Sequence, residues 1–315
     1  MRRPRIVFMG TPDFAVPVLD ALLTEGYKVV GVITAPDKPA GRGRKLHQSA
    51  VKRYALDKGL KILQPTNLKS EAFQEELRAL KANLQIVVAF RMLPRAVWEM
   101  PEYGTVNLHA SLLPQYRGAA PINWAIINGE SETGVTTFYI NERIDTGEII
   151  LQEKTPVGPE ENAGALHDRL MHLGAGLVLK TVSLIEKDEV TPIVQSEDSN
   201  LKTAPKIHRD TCKIDWEQPG KVIYDKIRGL SPYPAAWTFL HNPEDPVVLK
   251  IYGAAFKPEA HTLDPGTPMV AKDSLKIAVS DGYLSLLEIQ LSGKKRMGVK
   301  EFLNGYKLHE LAKLG

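Results

Sequence analysis

Arg5-Ile6-Val7-Phe8-Met9 is a short apolar run closed by the turn formers Gly10-Thr11-Pro12, the pattern of a buried strand. Beyond it, Phe14, Val18, Leu19, Leu22 and Leu23 recur at helical spacing as far as Gly26. Lys28 to Thr34 is a second strand, carrying Val29, Val30, Val32 and Ile33. Strand, helix and strand in this order form a β-α-β unit, in which the two strands run parallel with a right-handed crossover. The pattern continues outward. Ser49 heads a helix through Val51, Tyr54 and Ala55, Lys61 to Leu63 is a short strand, and Ser70 caps an amphipathic helix running to Lys81. Leu84 to Phe90 is a continuous apolar strand of the kind buried between helices, Pro94 to Trp98 a helical turn, and Thr105 to Asn107 a further strand. The fold class predicted is α/β with a mainly parallel sheet. Ligands of such sheets bind beyond the carboxyl ends of the strands, where Gly10, Phe90 and Asn107 to Ser111 lie.

The last of these ends carries the most chemistry. In Asn107-Leu108-His109-Ala110-Ser111-Leu112-Leu113-Pro114, Val106 and Leu108 alternate with Thr105, Asn107 and His109. Side chains two apart on a strand share a face, so Asn107 and His109 project together, about 6–7 Å apart. An amide donor beside an imidazole is a candidate pair for oxyanion binding and proton transfer; the plainer alternative is a polar strand end with a hydrogen-bonded histidine. The first turn argues against a dinucleotide site. Gly10-Thr11-Pro12-Asp13-Phe14-Ala15 lacks the second and third glycines, and Pro12 removes a backbone donor that a phosphate would need.

The composition sets broad bounds. With 315 residues the chain is long enough for two domains, and 43% hydrophobic with 24% charged residues is ordinary for a globular protein with a full core. The single cysteine, Cys212, excludes an internal disulfide and points to a reducing compartment. No signal peptide and no run of eighteen apolar residues is legible, so a cytoplasmic protein is expected. A net charge of +3 decides little, but its distribution matters. Lys38, Arg42, Arg44, Lys45, Lys52 and Arg53 follow one another without an acid, either as a solvated surface or as a contact for phosphates. Ala35 to Leu46, with two prolines and two glycines, reads as a loop.

Thr133 to Tyr139 and Glu148 to Glu153 read as strands, separated by a polar loop ending in Asp145-Thr146-Gly147. A covering helix is expected from Ala163 to Lys187, with His167 and His172 as surface or packing residues. Gln195 to Lys206 is polar and reads as a linker. After it come a helix near Pro219 to Gly229 and short strands at Ala236 to Leu240, Val247 to Phe256, Lys276 to Val279 and Tyr283 to Leu291, a pattern suggesting a small β-barrel. Lys294-Lys295-Arg296 follows at a turn.

His109-Ala110-Ser111-Leu112-Leu113-Pro114 with Tyr116-Arg117-Gly118-Ala119-Ala120-Pro121-Ile122 resembles the signature of the folate-dependent formyltransferases. Glu132-Thr133-Gly134-Val135-Thr136, Ile144-Asp145-Thr146-Gly147, Ser231-Pro232-Tyr233-Pro234-Ala235-Ala236-Trp237 and Gly293-Lys294-Lys295-Arg296-Met297 extend the likeness along essentially the whole chain. The resemblance implies a Rossmann-type catalytic domain over 1–194, a linker over 195–206 and a smaller OB-like, tRNA-binding barrel over 207–315. It implies 10-formyltetrahydrofolate as formyl donor, no metal, no membrane, and action as a monomer; Phe8-Met9-Gly10-Thr11-Pro12-Asp13-Phe14-Ala15 and Ala35-Pro36-Asp37-Lys38-Pro39-Ala40-Gly41-Arg42-Gly43 are similar to the members of the family whose acceptor is initiator methionyl-tRNA, and imply that acceptor here. Asn107, His109 and Asp145 become the catalytic trio. Ser111, Leu112, Leu113 and Pro114, with Phe90 and Met92, would line the folate pocket. Arg42, with Lys38, Arg44 and Lys45, would meet the acceptor stem, and Lys294, Lys295 and Arg296 the RNA backbone. The chain departs from the family pattern at Arg91, which stands where a glycine follows the aromatic residue, in a segment one residue shorter.

Three rivals share these features. An aminosugar or sugar-nucleotide formyltransferase, or a formyltetrahydrofolate hydrolase, would use the same trio but would not need the basic, glycine-spaced loop. A non-catalytic RNA-binding protein would not need the trio.

Overall fold

The computed structural model describes residues 3–40, 45–198, 200–243 and 246–315. They form two compact units: one of 1–118, 133–156 and 167–203, the other of 119–132, 157–166 and 204–315.

The first unit is built on a seven-stranded sheet. Its order is Ile149–Pro156, Glu132–Tyr139, Thr105–His109, Leu84–Val88, Arg5–Gly10, Lys28–Ile33 and Ile62–Leu63. The five strands from Thr105–His109 to Ile62–Leu63 are parallel, whereas Glu132–Tyr139 runs antiparallel to Thr105–His109 and sets Asn107 opposite Phe138 and His109 opposite Thr136. Ile6 to Met9 and the whole of Leu84–Val88 are buried, as strands covered on both faces must be.

The helices start where the sequence places their caps. The Ser49 hydroxyl accepts from the Lys52 amide at 3.0 Å, and that of Ser70 from the Phe73 amide at 3.4 Å. Helix Ala163–Lys187 spans the predicted range and turns Leu170, Leu177, Val178, Val182 and Ile185 inward. Phe73, Leu77, Val87, Leu93 and Val97 fill one side of the sheet with Met9 and Ile33.

One expectation is corrected. Ala35 to Leu46 is not loop throughout, because Lys38–Ala40 and Lys45–His47 pair antiparallel as the stem of a hairpin. Two three-residue strands interrupted by Pro39 are too short to show a period in the sequence.

The second unit holds an antiparallel sheet ordered Pro268–Ala271, Ser274–Val279, Gly282–Leu291, Val247–Pro258, Ala236–His241 and Lys313–Leu314. The backbone N–H of Leu314 donates to Gly266, next to the first of these strands, and nearly closes the sheet into a barrel. Gly266 has φ +83°, and a β-carbon there would come within 2.3 Å of the Leu314 carbonyl oxygen, so only glycine allows this closure. Ile223, Ile227 and Leu230 of helix Gly220–Leu230 share the barrel core with Trp216, Leu249, Ile251 and Ile289. Among the described residues no helix is long and apolar enough to cross a membrane.

Candidate active site

Asn107 and His109 end the strand Thr105–His109 on one face, as the period of two requires. The Asn107 amide has no hydrogen-bond partner among the described residues, and the side chain is half-buried. His109 is buried, with Nε2 2.9 Å from the Tyr116 carbonyl oxygen. A carbonyl can only accept, so Nε2 carries the proton, and Nδ1 is the nitrogen left for exchange.

Nδ1 faces Asp145 Oδ2 at 3.7 Å. Asp145 arrives from the loop after the antiparallel strand, with φ +54°, a left-handed conformation that aspartate tolerates better than most residues. Its Oδ2 accepts from the Gly118 amide at 2.9 Å. The loop closes through Gly147, where a β-carbon would lie 1.6 Å from the Tyr139 carbonyl oxygen. An imidazole and a carboxylate thus face one another at the carboxyl end of the central strands, with the Asn107 amide two residues before His109 on the same strand face, although Asp145 is remote from both in sequence.

The residues expected to line a ligand pocket divide. Ser111 is fully buried, its hydroxyl donating to the Gln115 carbonyl at 2.7 Å, and Leu113 packs inward on Phe138 and Ile149. Leu112 and Pro114 are half-buried, Phe90 is half-buried, and Met92 is exposed. Arg91 does not project freely. It donates to the carbonyls of Pro65 and Thr66 and its guanidinium lies 5.5 Å from the Phe90 ring centroid. The cation therefore ties the turn after Leu84–Val88 to a neighbouring loop, in a place where a glycine could make no such tie. Among the described residues no group of three or more His, Cys, Asp and Glu side chains converges as metal ligands would.

The basic residues divide as well. Arg42 and Arg44 lie outside the described residues; Lys38 is exposed at the start of the hairpin stem, and Lys45 stands on its other strand. Lys52 is neutralised by Asp37, the residue just before the acid-free run, at 2.6 Å. Hydrogen bonds from Lys52 and Gln64 hold the Asp37 carboxyl below the usual carboxylate range. In the barrel, Lys295 pairs with Glu301 at 3.2 Å, and Arg296 pairs with Glu288 and lies 4.2 Å from the Tyr252 ring centroid. The Lys294 ammonium has no partner among the described residues.

Gln195 escaped the sequence reading. It opens the polar stretch read as a linker, yet it is buried, and its amide bonds the carbonyls of Asp145 and Gly147. A polar composition carries no sign of such long-range bonds, so no sequence signal could have found it.

Residues 4–182 match the formyl transferase family and residues 206–307 the formyl transferase C-terminal domain, which marks the chain as an acyl-group transferase. The chain belongs to the formyl transferase family. Its full-length relatives include the methionyl-tRNA formyltransferase of Flavobacterium johnsoniae, 57% identical over 314 residues and covering 100% of both chains. That of Bacteroides fragilis is 56% identical over 315 residues, covering 98% of this chain and 97% of its own. Among solved structures, an N-formyltransferase from Helicobacter canadensis in complex with folinic acid and dTDP-3-aminofucose superposes with a TM-score of 0.66 at 19% identity, over 93% of this chain and 100% of its own. HypX from Aquifex aeolicus in complex with tetrahydrofolic acid gives 0.66 at 18% identity, over 98% and 49%. At these identities the two structures speak for the fold alone.

Proposed function

We propose that the protein transfers the formyl group of 10-formyltetrahydrofolate to the α-amine of initiator methionyl-tRNA, yielding N-formylmethionyl-tRNA for translation initiation. The observation that carries this reading is the full-length likeness to methionyl-tRNA formyltransferases, supported by His109 facing Asp145 on the strand that also carries Asn107.

The neutral amine attacks the formyl carbon, forming the new C–N bond and placing negative charge on the formyl oxygen. Asn107, whose amide has no partner among the described residues, donates to that oxygen. The attacking nitrogen must then lose a proton. Asp145 takes it, directly or through water, and His109 Nδ1 beside Oδ2 shares it. The bond from the formyl carbon to the folate nitrogen breaks as the carbonyl re-forms, and that nitrogen leaves with a proton, so the balance closes without a metal. Phe90, Met92, Leu112 and Pro114 present an apolar edge to the folate, while the buried Ser111 and Leu113 support it from behind.

Residues 1–194 supply this chemistry, 195–206 the link and 207–315 an RNA-binding barrel. Arg42, Arg44, Lys45 and Lys38 contact the acceptor stem, and Lys294 meets the RNA backbone, with Lys295 and Arg296 held beside it by Glu301 and Glu288. The protein works as a monomer in the cytoplasm, the compartment of translation.

The test is a competition. Labelled 10-formyltetrahydrofolate is offered with charged initiator tRNA, free methionine and an aminosugar nucleotide. Label on the tRNA alone is expected. Label on the sugar would keep the trio and overturn the acceptor, and free formate without an acceptor would indicate a hydrolase.

A further inference from the structure

The carboxylate of Asp145 sits on a loop whose internal bonds stop short of it: Asn141 Oδ1 accepts from the Arg143 amide and the Thr146 hydroxyl, both at 3.0 Å. At φ +54° Asp145 stands in a region few side chains occupy, in a polar loop without regular structure. A side chain from outside the loop reaches its backbone. Gln195 Nε2 donates to the Asp145 carbonyl at 3.0 Å and to the Gly147 carbonyl at 2.7 Å. On its other side Gln195 Oε1 accepts twice from Arg117, at 3.0 Å from Nε and 2.7 Å from a terminal nitrogen.

Both hydrogens and both lone-pair positions of the amide are thereby used, in a side chain with the residue only 7% exposed. The chemistry fixes its orientation. Carbonyls only accept and a guanidinium only donates, so the amide cannot be turned over without losing all four bonds.

The same stretch of chain reaches the second member of the pair. The Lys202 carbonyl accepts from the Tyr116 amide at 2.7 Å, and the Tyr116 carbonyl is the acceptor of His109 Nε2–H. Gln195 thus backs Asp145 while Lys202 backs His109, and Arg117, next to Tyr116, locks the first support to the second.

We propose that Gln195 is a positioning residue of the formyl-transfer site: its amide, oriented by Arg117, holds Asp145 in the left-handed conformation from which Oδ2 faces His109. Gln195 reaches none of the reacting atoms and acts only through Asp145. The identity of the reaction rests on the functional reading above; the support of Asp145 does not.

Two variants separate the arms of the clamp. Gln195→Glu keeps the shape and the Arg117 contact but offers no N–H to the two carbonyls. Gln195→Ala removes both arms. In each, kcat for formyl transfer falls by on the order of 10²-fold, the cost of misplacing a reacting group by about an ångström. KM for the formyl donor and for the tRNA stays within about twofold, as for an interaction used only in the transition state. The His109 ring resonances move in the NMR spectra of both variants. A wild-type kcat in Gln195→Glu, or unmoved His109 resonances in it, would overturn the proposal. Should Gln195→Ala fail to fold, Gln195→Glu, which turns the tie to Arg117 into an ion pair, decides alone. If wild-type protein does not formylate methionyl-tRNA, the functional reading fails by itself, and the His109 resonances of Gln195→Glu still decide the role of Gln195.

Discussion

His109 and Asp145 face one another across 3.7 Å, Nδ1 to Oδ2, and each is tethered from behind by backbone: the Tyr116 carbonyl holds His109 Nε2 and the Gly118 amide holds Asp145 Oδ2. The tethers come from residues two apart in one short segment. The segment therefore sets the gap: at 3.7 Å the pair is beyond a direct hydrogen bond, and a proton passes between them through one bridging water.

Asp145→Asn should isolate the charge from the geometry. The amide oxygen can still accept from the Gly118 N–H, so the loop keeps its anchor while the site loses its carboxylate. The expected outcome is a kcat lower by about 10²- to 10⁴-fold, the range for removing a general base, with tRNA binding retained. Steady-state formyl transfer set beside tRNA filter binding checks both halves. A rate close to wild type would remove Asp145 from proton transfer.

Asn107→Ala tests the oxyanion donor. The amide bonds no protein group among those described, so its loss leaves no broken structural contact to confuse the result. A kcat lower by about 10²- to 10³-fold, with unchanged affinity for tRNA, is the cost of one such donor. Single-turnover transfer with both substrates saturating measures it, and a rate within a few-fold of wild type would assign the charge stabilisation elsewhere.

The basic residues should separate by what already holds them. The Lys294 ammonium has no partner among the described residues, while Arg296 is taken up by Glu288 and Tyr252. Lys294→Ala and Arg42→Ala should each lower the slope of log K against log salt by roughly 0.7–0.9, the counterion equivalent of one phosphate contact. Arg296→Ala should change that slope little and lower the melting temperature instead. Titrations of tRNA at several salt concentrations, with a thermal melt of each variant, distinguish the two behaviours. An Arg296→Ala slope change equal to that of Lys294→Ala would show that the ion pair opens to meet RNA.

What the sequence made legible follows from the range of each signal. The β-α-β pattern, the caps Ser49 and Ser70 and the pairing of Asn107 with His109 are local, set by periods of two and 3.6 residues. Asp145 came from the family likeness, because no spacing brings a distant loop to His109. Gln195 and the Lys52–Asp37 pair stayed hidden for the same reason: a polar residue in a polar stretch looks solvated until its partner is placed. The hairpin stem and the closing strand Lys313–Leu314 are too short to carry a period at all.

The second unit carries a buried charge pair whose removal should be felt through the whole barrel unit. Asp225 and Arg228 stand one turn apart on helix Gly220–Leu230, with side chains 6% and 7% exposed, joined at 2.7 Å from Arg228 Nε to Asp225 Oδ1. Arg228 also donates to the carbonyls of Glu161 at 3.0 Å and Gly158 at 3.3 Å, so the guanidinium ties the helix to a separate stretch of the same unit. Lys221 adds a second, exposed cation to the carboxylate. Asp225→Ala would leave the Arg228 charge buried with carbonyl dipoles alone to balance it. The expected loss of stability is about 3–5 kcal/mol, far above what a solvent-exposed ion pair contributes. Replacing both partners by apolar residues of similar size, Asp225→Leu with Arg228→Met, should recover most of the loss, because the cost arises from the unpaired charge and not from the missing attraction. Denaturant melts of wild type, the single variant and the double variant form the test. A single variant within about 1 kcal/mol of wild type would mean that water or the carbonyls already solvate Arg228 and that the pair is no keystone of the helix.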